Sequence, residues 1–252
     1  MCYNFSNKRY WCCGFTVLEL LTTLSVISIL GFLVVALLSG SKEKSRRIYC
    51  SNGLRQFVIA SQIYATDNQD RLLLGADNNG ISTAVETTLK QSSHTINMAE
   101  ATMEAIRPII GMTNLLFCPG FSFGWIEPYS KKYGYTIGYN YLGGHVFETS
   151  RFSGYEPWTS PLRITDDANL ALIADPNHKA KIDGWTIAPH GKRGPILQDR
   201  SSFVKTGGAD PKMIGGNGGN VGFLDGSVQW RPIGILKPHI ASSHGEQYLG
   251  YW

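Results

Sequence analysis

Glu19 is the only charged residue in the run from Phe15 to Leu38, FTVLELLTTLSVISILGFLVVALL. A carboxylate within hydrocarbon costs at least a few kcal/mol on insertion scales, so an acid placed there is a candidate for pairing with a cation. The other residues able to do chemistry are scattered. His145, His178, His190, His239 and His244 lie in dissimilar loops, without His-x-x-x-His spacing or a nearby Glu pair, and their pattern indicates neither acid/base nor metal chemistry. GGNGGN at 215–220 has the glycine content of a phosphate loop but lacks the Lys-Ser/Thr that follows one, and reads as tight loop geometry. PHGKRG at 189–194 holds no nucleophile in a recognisable frame. Asp166, Asp167 and Asp175 are of a type that ligates calcium, although adjacent loop carboxylates are ordinarily just solvated. The residue pattern therefore assigns no catalytic residue, no metal ligand and no cofactor.

The elements that must position these residues follow from composition and periodicity. The 252-residue chain is 43% hydrophobic and 17% charged, with a formal net charge of +4, enough for a sizeable core in one or two domains. Its basic residues are scattered except for Lys42, Lys44, Arg46 and Arg47. Phosphate tracking needs a basic face, so no nucleic-acid partner is expected. The apolar run is 24 residues long, against roughly 20 needed to cross the hydrocarbon layer, and predicts a single membrane-spanning helix. A cleaved secretory signal has an apolar core of only about 7–15 residues. Thr16, Thr22, Thr23, Ser25 and Ser28 interrupt the run with hydroxyls that can bond back to the helix's own carbonyls. Lys8 and Arg9 precede it, while Lys42, Lys44, Arg46 and Arg47 follow with only Glu43 against them. The positive-inside count taken alone favours an outside amino terminus.

Beyond Leu38 a helical stripe continues without proline. Cys50, Leu54, Phe57, Val58, Ser61, Tyr64 and Ala65 share one face of a 3.6-residue period. Gly31, Gly40 and Gly53 are potential bend points, and TDNQD at 66–70 is the stop. The spacing thus predicts one helix from about 15 to 66, roughly 75 Å long at 1.5 Å per residue. The remainder, from about Arg71, is rich in Gly, Pro, Tyr and Trp. NLALIADP at 169–176 and YGYTIGYNYLGG at 133–144 read as strands, and segment 82–107 holds a helix near its end. Val221–Leu224 and Ser227–Trp230 form a hairpin around Asp225-Gly226, with a two-residue primed turn expected.

The stretch Gly14-Phe15-Thr16-Val17-Leu18-Glu19-Leu20-Leu21 resembles the cleavage and methylation signature of type IV prepilins and type II secretion pseudopilins. In that family a prepilin peptidase cuts after the Gly, the new amino terminus is N-methylated, and the acid at the fifth mature position remains. Gly14, Phe15 and Glu19 occupy those three positions. The resemblance implies that Glu19 pairs with the Phe15 amine of a neighbouring subunit during filament assembly. It also implies a cytoplasmic leader, and so an inside amino terminus. Cys12-Cys13 stands where the family usually carries basic residues. EKSRRIYCSNGLRQFVIASQIYATDNQDRLL is similar to the segment that follows the membrane in a pseudopilin-like subfamily, and its positions read as packing rather than chemistry. The same subfamily, named for a His, nine residues and Asp-Gly, has a glycine-rich pattern near its carboxyl end. Gly218, Asn220, Val221, Phe223, Asp225 and Gly226 match that pattern, Asn217 departs from it, and Gly215 stands at the His position. LLFCPG at 115–120 corresponds loosely.

Removal of the leader would leave Cys50 and Cys118 as the remaining cysteines. Outside the cytoplasm such a pair is a disulfide candidate, with two buried free thiols as the alternative. The expected fold class is α+β and pilin-like, with a long amino-terminal helix packed on an antiparallel head. Its segments are a leader at 1–14, a transmembrane half-helix at 15–38, an amphipathic half-helix at 39–68 and a head at 69–252. The implied role is that of a structural pilin-like or pseudopilin subunit of a type II secretion or type IV pilus-like filament. It would be a single-pass protein of the inner membrane with a periplasmic head, and no enzyme. Its implied partners are the prepilin peptidase, other pilin-like subunits and an inner-membrane assembly platform. The competing reading is a membrane-anchored periplasmic glycan-binding module, because Trp125, Trp158, Trp185, Trp230 and Trp252 could stack on sugar rings.

Overall fold

A computed structural model of the chain describes residues 15–75, 94–111, 117–121, 129–130, 134–145, 153–181, 184–192, 194–198, 208–242 and 248–252. The chain divides into two compact units, Met1–Ser41 and Lys42–Trp252. Helix α1 (Val17–Asp67, 51 residues) begins in the first and ends in the second.

In the first unit, Thr16 and Glu19 close the helix start. Glu19 Oε2 accepts the Thr16 N–H at 2.9 Å and the Thr16 hydroxyl at 2.8 Å, while Thr16 Oγ1 accepts the Glu19 N–H at 3.2 Å. This reciprocal pair is a capping box, which satisfies donors that a helix start leaves free. The hydroxyls of Thr22, Thr23, Ser25 and Ser28 bond back to carbonyls three or four residues earlier, at 2.7–3.0 Å. The apolar side chains between them, from Phe15 to Leu33, are exposed. Among the described residues no helix is long and apolar enough to cross a membrane.

In the second unit α1 buries the expected stripe. Cys50, Leu54, Phe57, Val58, Ser61 and Ala65 are all buried, and Tyr64 is half-buried. The helix passes Gly53 and stops at Asp67, where Gln69 (φ 58°) and Asp70 (φ 63°) turn left-handed. Asn68 Nδ2 donates to the Tyr64 carbonyl at 2.7 Å and so satisfies a terminal acceptor. The short helix α2 (Glu100–Ile110) buries Thr102, Met103 and Ile106.

The strands are β1 (Asn97–Met98), β2 (Tyr129–Ser130), β3 (Gly134–Thr136), β4 (Asn140–Tyr141), β5 (Ala171–Ala174) and β6 (His178–Ala180). They continue with β7 (Trp185–Gly191), β8 (Gly194–Gln198), β9 (Gly218–Phe223), β10 (Val228–Pro232), β11 (Pro238–Ile240) and β12 (Tyr248–Tyr251). They form three sheets, in the orders β1-β3-β2, β10-β9-β5-β4 and β11-β12-β6-β7-β8. All the pairings within these sheets are antiparallel. The α+β class with antiparallel sheets is therefore as expected.

Two local expectations change. The stretch 133–144 is not one strand: β3 and β4 belong to different sheets, separated by Ile137–Tyr139. The hairpin between β9 and β10 has a three-residue loop rather than a two-residue primed turn. The Phe223 N–H donates to the Ser227 carbonyl at 2.9 Å and the Gly226 N–H to the Phe223 carbonyl at 3.0 Å. Gly226 takes φ +88° while Asp225 stays at negative φ. This is the geometry of a turn closed by a glycine bulge.

The main core joins α1 to the sheets through Leu54, Phe57 and Val58 against Tyr141, Leu172, Ile173 and Leu224. Phe57 and Tyr141 meet with ring centroids 5.3 Å apart. Gly222 allows this approach, because a Cβ there would lie 3.4 Å from Val58 Cγ2 and 2.9 Å from Ile173 Cγ2. Gln62 Nε2 adds a hydrogen bond to the Leu224 carbonyl at 2.7 Å. Truncating a buried aromatic leaves a cavity as well as losing transfer energy. Phe57→Ala should therefore destabilise the full chain in detergent by about 3–5 kcal/mol in denaturant titrations. Ile59→Ala, on the exposed side of the same helix, should stay within about 0.5 kcal/mol.

Candidate functional site

Four elements bring unlike side chains to one point. Glu43 and Cys50 lie two turns apart on the buried face of α1. Cys118 sits in a tight loop where the Phe121 N–H donates to its carbonyl at 2.8 Å and the Gly120 N–H to its sulfur at 3.3 Å. Asp175 directly follows β5, and His190 lies in β7. One ligand atom from each of Cys50, Cys118, Asp175 and His190 lies within 4.8 Å of every other. Their exposures are 0%, 1%, 1% and 0%, so the cluster is sealed from any substrate.

The ring of His190 lies between two buried carboxylates. Its Nδ1 is 2.9 Å from Glu43 Oε1, and its Nε2 is 3.1 Å from Asp175 Oδ2, although without hydrogen-bond alignment. Asp175 Oδ2 accepts both the backbone N–H of Asn220, at 2.6 Å, and its side-chain amide, at 2.8 Å. Glu43 also meets Arg47 at 3.3 Å and Arg46 at 3.7 Å. The Arg47 guanidinium lies 4.0 Å from the centroid of Trp230, whose ring meets His190 edge-on at 5.4 Å. Asp175 Oδ1, Glu43 Oε2 and the Tyr139 hydroxyl are buried without a hydrogen-bond partner.

The two sulfurs are 2.7 Å apart and both cysteines are free thiols. Cys50 and Cys118, which the sequence offered either as a disulfide or as two buried thiols, are therefore neighbours. Burial and the neighbouring Cys50 hold the Cys118 thiol well above its ordinary range, whereas the hydrogen bond from Cys118 lowers that of Cys50. Burial opposes charge on His190, but the closeness of the Asp175 carboxylate and of Cys50 outweighs it and pushes the ring up to about 10.

The remaining sequence-derived candidates fall elsewhere. Gly14 lies outside the described residues, as do Cys2, Cys12, Cys13, Trp125 and His244. Phe15 is exposed and Glu19 is held by Thr16. Asn220 is the partner of Asp175. Asp225 accepts the Ser227 N–H at 2.8 Å and, with Gly226, shapes the hairpin loop. Asp166 Oδ2 accepts the N–H groups of Leu162 and Arg163, and Asp167 Oδ1 that of Asn169, so both hold local turns. Asp175, expected among solvated loop acids, is buried instead. The tryptophans considered for sugar stacking have internal neighbours: Trp158 meets Trp252, Trp185 stacks on His178, and Trp230 carries Arg47.

Sequence reasoning missed Glu43, Asp175 and His190 as one group. Glu43 had counted only as a flanking charge, yet it lies seven residues before Cys50 on the same stripe. An acid closing the apolar strand ALIA was a second available signal, and a His in the buried strand WTIAPHG a third. Comparison with known protein families finds no match to this chain, and comparisons with curated proteins and with solved structures find none either.

Two other buried histidines make acid sensitivity a property of the head. Burial lowers His145 to about 4 and His178 to about 3, and both ring nitrogens of His178 lack hydrogen-bond partners. Both stay neutral when folded, while the unfolded chain takes up their protons near pH 6.5. Their stabilising effect is complete above about 6.5 and is lost as pH falls towards 4, by about 3 kcal/mol each. Melting the full chain in detergent from pH 7.5 to 4.5 should show a midpoint that holds down to about pH 6.5 and falls below it. His178→Phe, which keeps the stack on Trp185 and binds no proton, should flatten that fall; an unchanged slope would remove His178 as a contributor.

Proposed function

We propose that this chain is a pilin-like or pseudopilin subunit of a type II secretion or type IV pilus-like filament, a structural protein rather than an enzyme. The observation that carries this reading is α1. It is one helix of 51 residues whose early apolar side chains are exposed and whose later residues are buried in an antiparallel head. Exposed contiguous apolar surface on this scale calls for a lipid or protein partner. In the proposed cycle, Phe15–Leu38 holds the subunit in the inner membrane and then packs in the filament core, and the head forms the surface. The partners are the prepilin peptidase, other pilin-like subunits and the inner-membrane assembly platform. The head lies on the periplasmic side and the leader on the cytoplasmic side.

Cleavage after Gly14 would place an ammonium on Phe15, four residues before Glu19. In a low-dielectric setting, attraction between an ammonium and a carboxylate far exceeds its value in water. Glu19 then has two roles to be separated, since it already caps its own helix through Thr16. Glutamine preserves a capping box but carries no charge. Glu19→Gln should therefore keep the helix start and still abolish co-assembly with partner subunits, measured by crosslinking in membranes. Assembly at the level of the unsubstituted chain would reduce Glu19 to a cap. Intact mass of the membrane-extracted protein tests the pathway itself. Loss of Met1–Gly14 with gain of one methyl group is expected, and an uncut chain would overturn the reading.

A further inference from the structure

The geometry points to a structural metal site in the head, in which Cys50 Sγ, Cys118 Sγ, His190 Nε2 and the Asp175 carboxylate bind one four-coordinate ion of the zinc class. This inference rests on the cluster alone and stands apart from the filament reading.

Three features of the cluster argue for it. First, the donor set is two sulfurs, one imidazole nitrogen and one carboxylate, all mutually within 4.8 Å. Paired thiolates with an imidazole suit zinc and disfavour calcium or magnesium, which take oxygen ligands. Second, the outer contacts already hold the ligands in ligating orientation. Glu43 engages His190 Nδ1 at 2.9 Å, turning Nε2 towards the sulfurs, and so forms the carboxylate–histidine–metal arrangement common around bound zinc. Asn220 makes two hydrogen bonds to Asp175 Oδ2, and the Gly120 N–H meets Cys118 Sγ. Third, a cation satisfies buried atoms that make no hydrogen bond. Asp175 Oδ1 and His190 Nε2 are buried without a hydrogen bond, and leaving such groups unpaired costs several times what an ordinary hydrogen bond contributes. A disulfide between the cysteines would leave both of these atoms as they are.

Binding requires the two thiols and Nε2 to give up their protons to solvent, while the Nδ1 proton stays on the hydrogen bond to Glu43. A dication balances the two thiolates, while Asp175 keeps its hydrogen bonds from Asn220 and Glu43 keeps its contacts with Arg46 and Arg47. Tetrahedral zinc–sulfur bonds place two sulfurs about 3.8 Å apart. The cysteines must therefore open from their 2.7 Å separation by about 1 Å, a side-chain adjustment. Because all four ligands are buried, the ion would enter as the head folds. It would tie α1 to the Cys118 loop, β5 and β7, and leave no open position for catalysis.

The test uses the full chain, purified from membranes in detergent without chelator. Elemental analysis should find close to one zinc per chain, retained when Cys2, Cys12 and Cys13 are all changed to Ser. Stripping with a chelator should expose two alkylatable thiols and lower the melting temperature, and added Zn²⁺ should restore both. Cobalt in place of zinc should give thiolate-to-metal absorption and the visible bands of a tetrahedral ion. Glu43→Gln keeps the side chain's size and the ligands themselves, and should weaken metal affinity about 10–100-fold. His190→Gln should weaken it further. A Cys50–Cys118 disulfide in place of metal would overturn the proposal. So would failure of the reduced chain to take up Zn²⁺ or Co²⁺, a reading that needs no variant to fold.

Discussion

The imidazole of His190, held between the buried carboxylates of Glu43 and Asp175, is the contact on which the head most depends. Each partner comes from a different element: Glu43 from α1, Asp175 from the end of β5, His190 from β7, with Asn220 of β9 donating to Asp175. Buried charges are tolerated only when paired, and removing one member of such a group costs about 3–5 kcal/mol. The head therefore cannot shift α1 along its axis or slide β7 past β9 without stranding a charge. Apolar packing alone would allow such slippage, since Leu, Ile and Val faces accept many registers. The polar cluster makes the register of the helix specific.

Around that point the apolar contacts supply most of the stabilisation. Leu54, Phe57 and Val58 continue the same helical face one to two turns beyond Cys50, and they meet β5 and the hairpin at Gly222. Arg47 closes the other side by lying over Trp230, while Asn220 Nδ2 reaches its carbonyl at 3.3 Å. Helix, hairpin and cluster thus form one continuous arrangement within the Lys42–Trp252 unit. The same helix carries, in the other unit, a row of exposed apolar side chains. A chain that spends one helix on two solvents is coherent if one part of it meets lipid or other subunits, and that is the physical basis of the filament proposal.

Much of this arrangement was legible from residue patterns. The 3.6-residue stripe named the buried face of α1 because a helix's own geometry repeats locally, and TDNQD marked its end because it is a run of polar, turn-forming residues, two of which, Gln69 and Asp70, turn left-handed. The hydroxyls of the apolar run bond back to their own helix for the same local reason. The Thr16–Glu19 capping box is equally legible, as a T-x-x-E pattern at the head of an apolar run. The hairpin was placed correctly and its turn type was not, since an Asp-Gly pair serves both a two-residue turn and a three-residue loop with a glycine bulge. Strand pairing decided between them.

Local interactions are what the sequence by itself determined: the long helix, its buried stripe, its two ends and the hairpin's position. These depend on residues three or four apart, or on a single turn. The cluster was decided only by tertiary structure. Cys50 and Cys118 are separated by 68 positions and Glu43 and His190 by 147, and no periodicity links such distances. Antiparallel pairing set β7 between β6 and β8, and packing set α1 against β5 and β9. Only then did an acid at a strand end, a histidine in a strand, and two cysteines become neighbours, because burial in one core requires charged and sulfur-bearing groups to find each other.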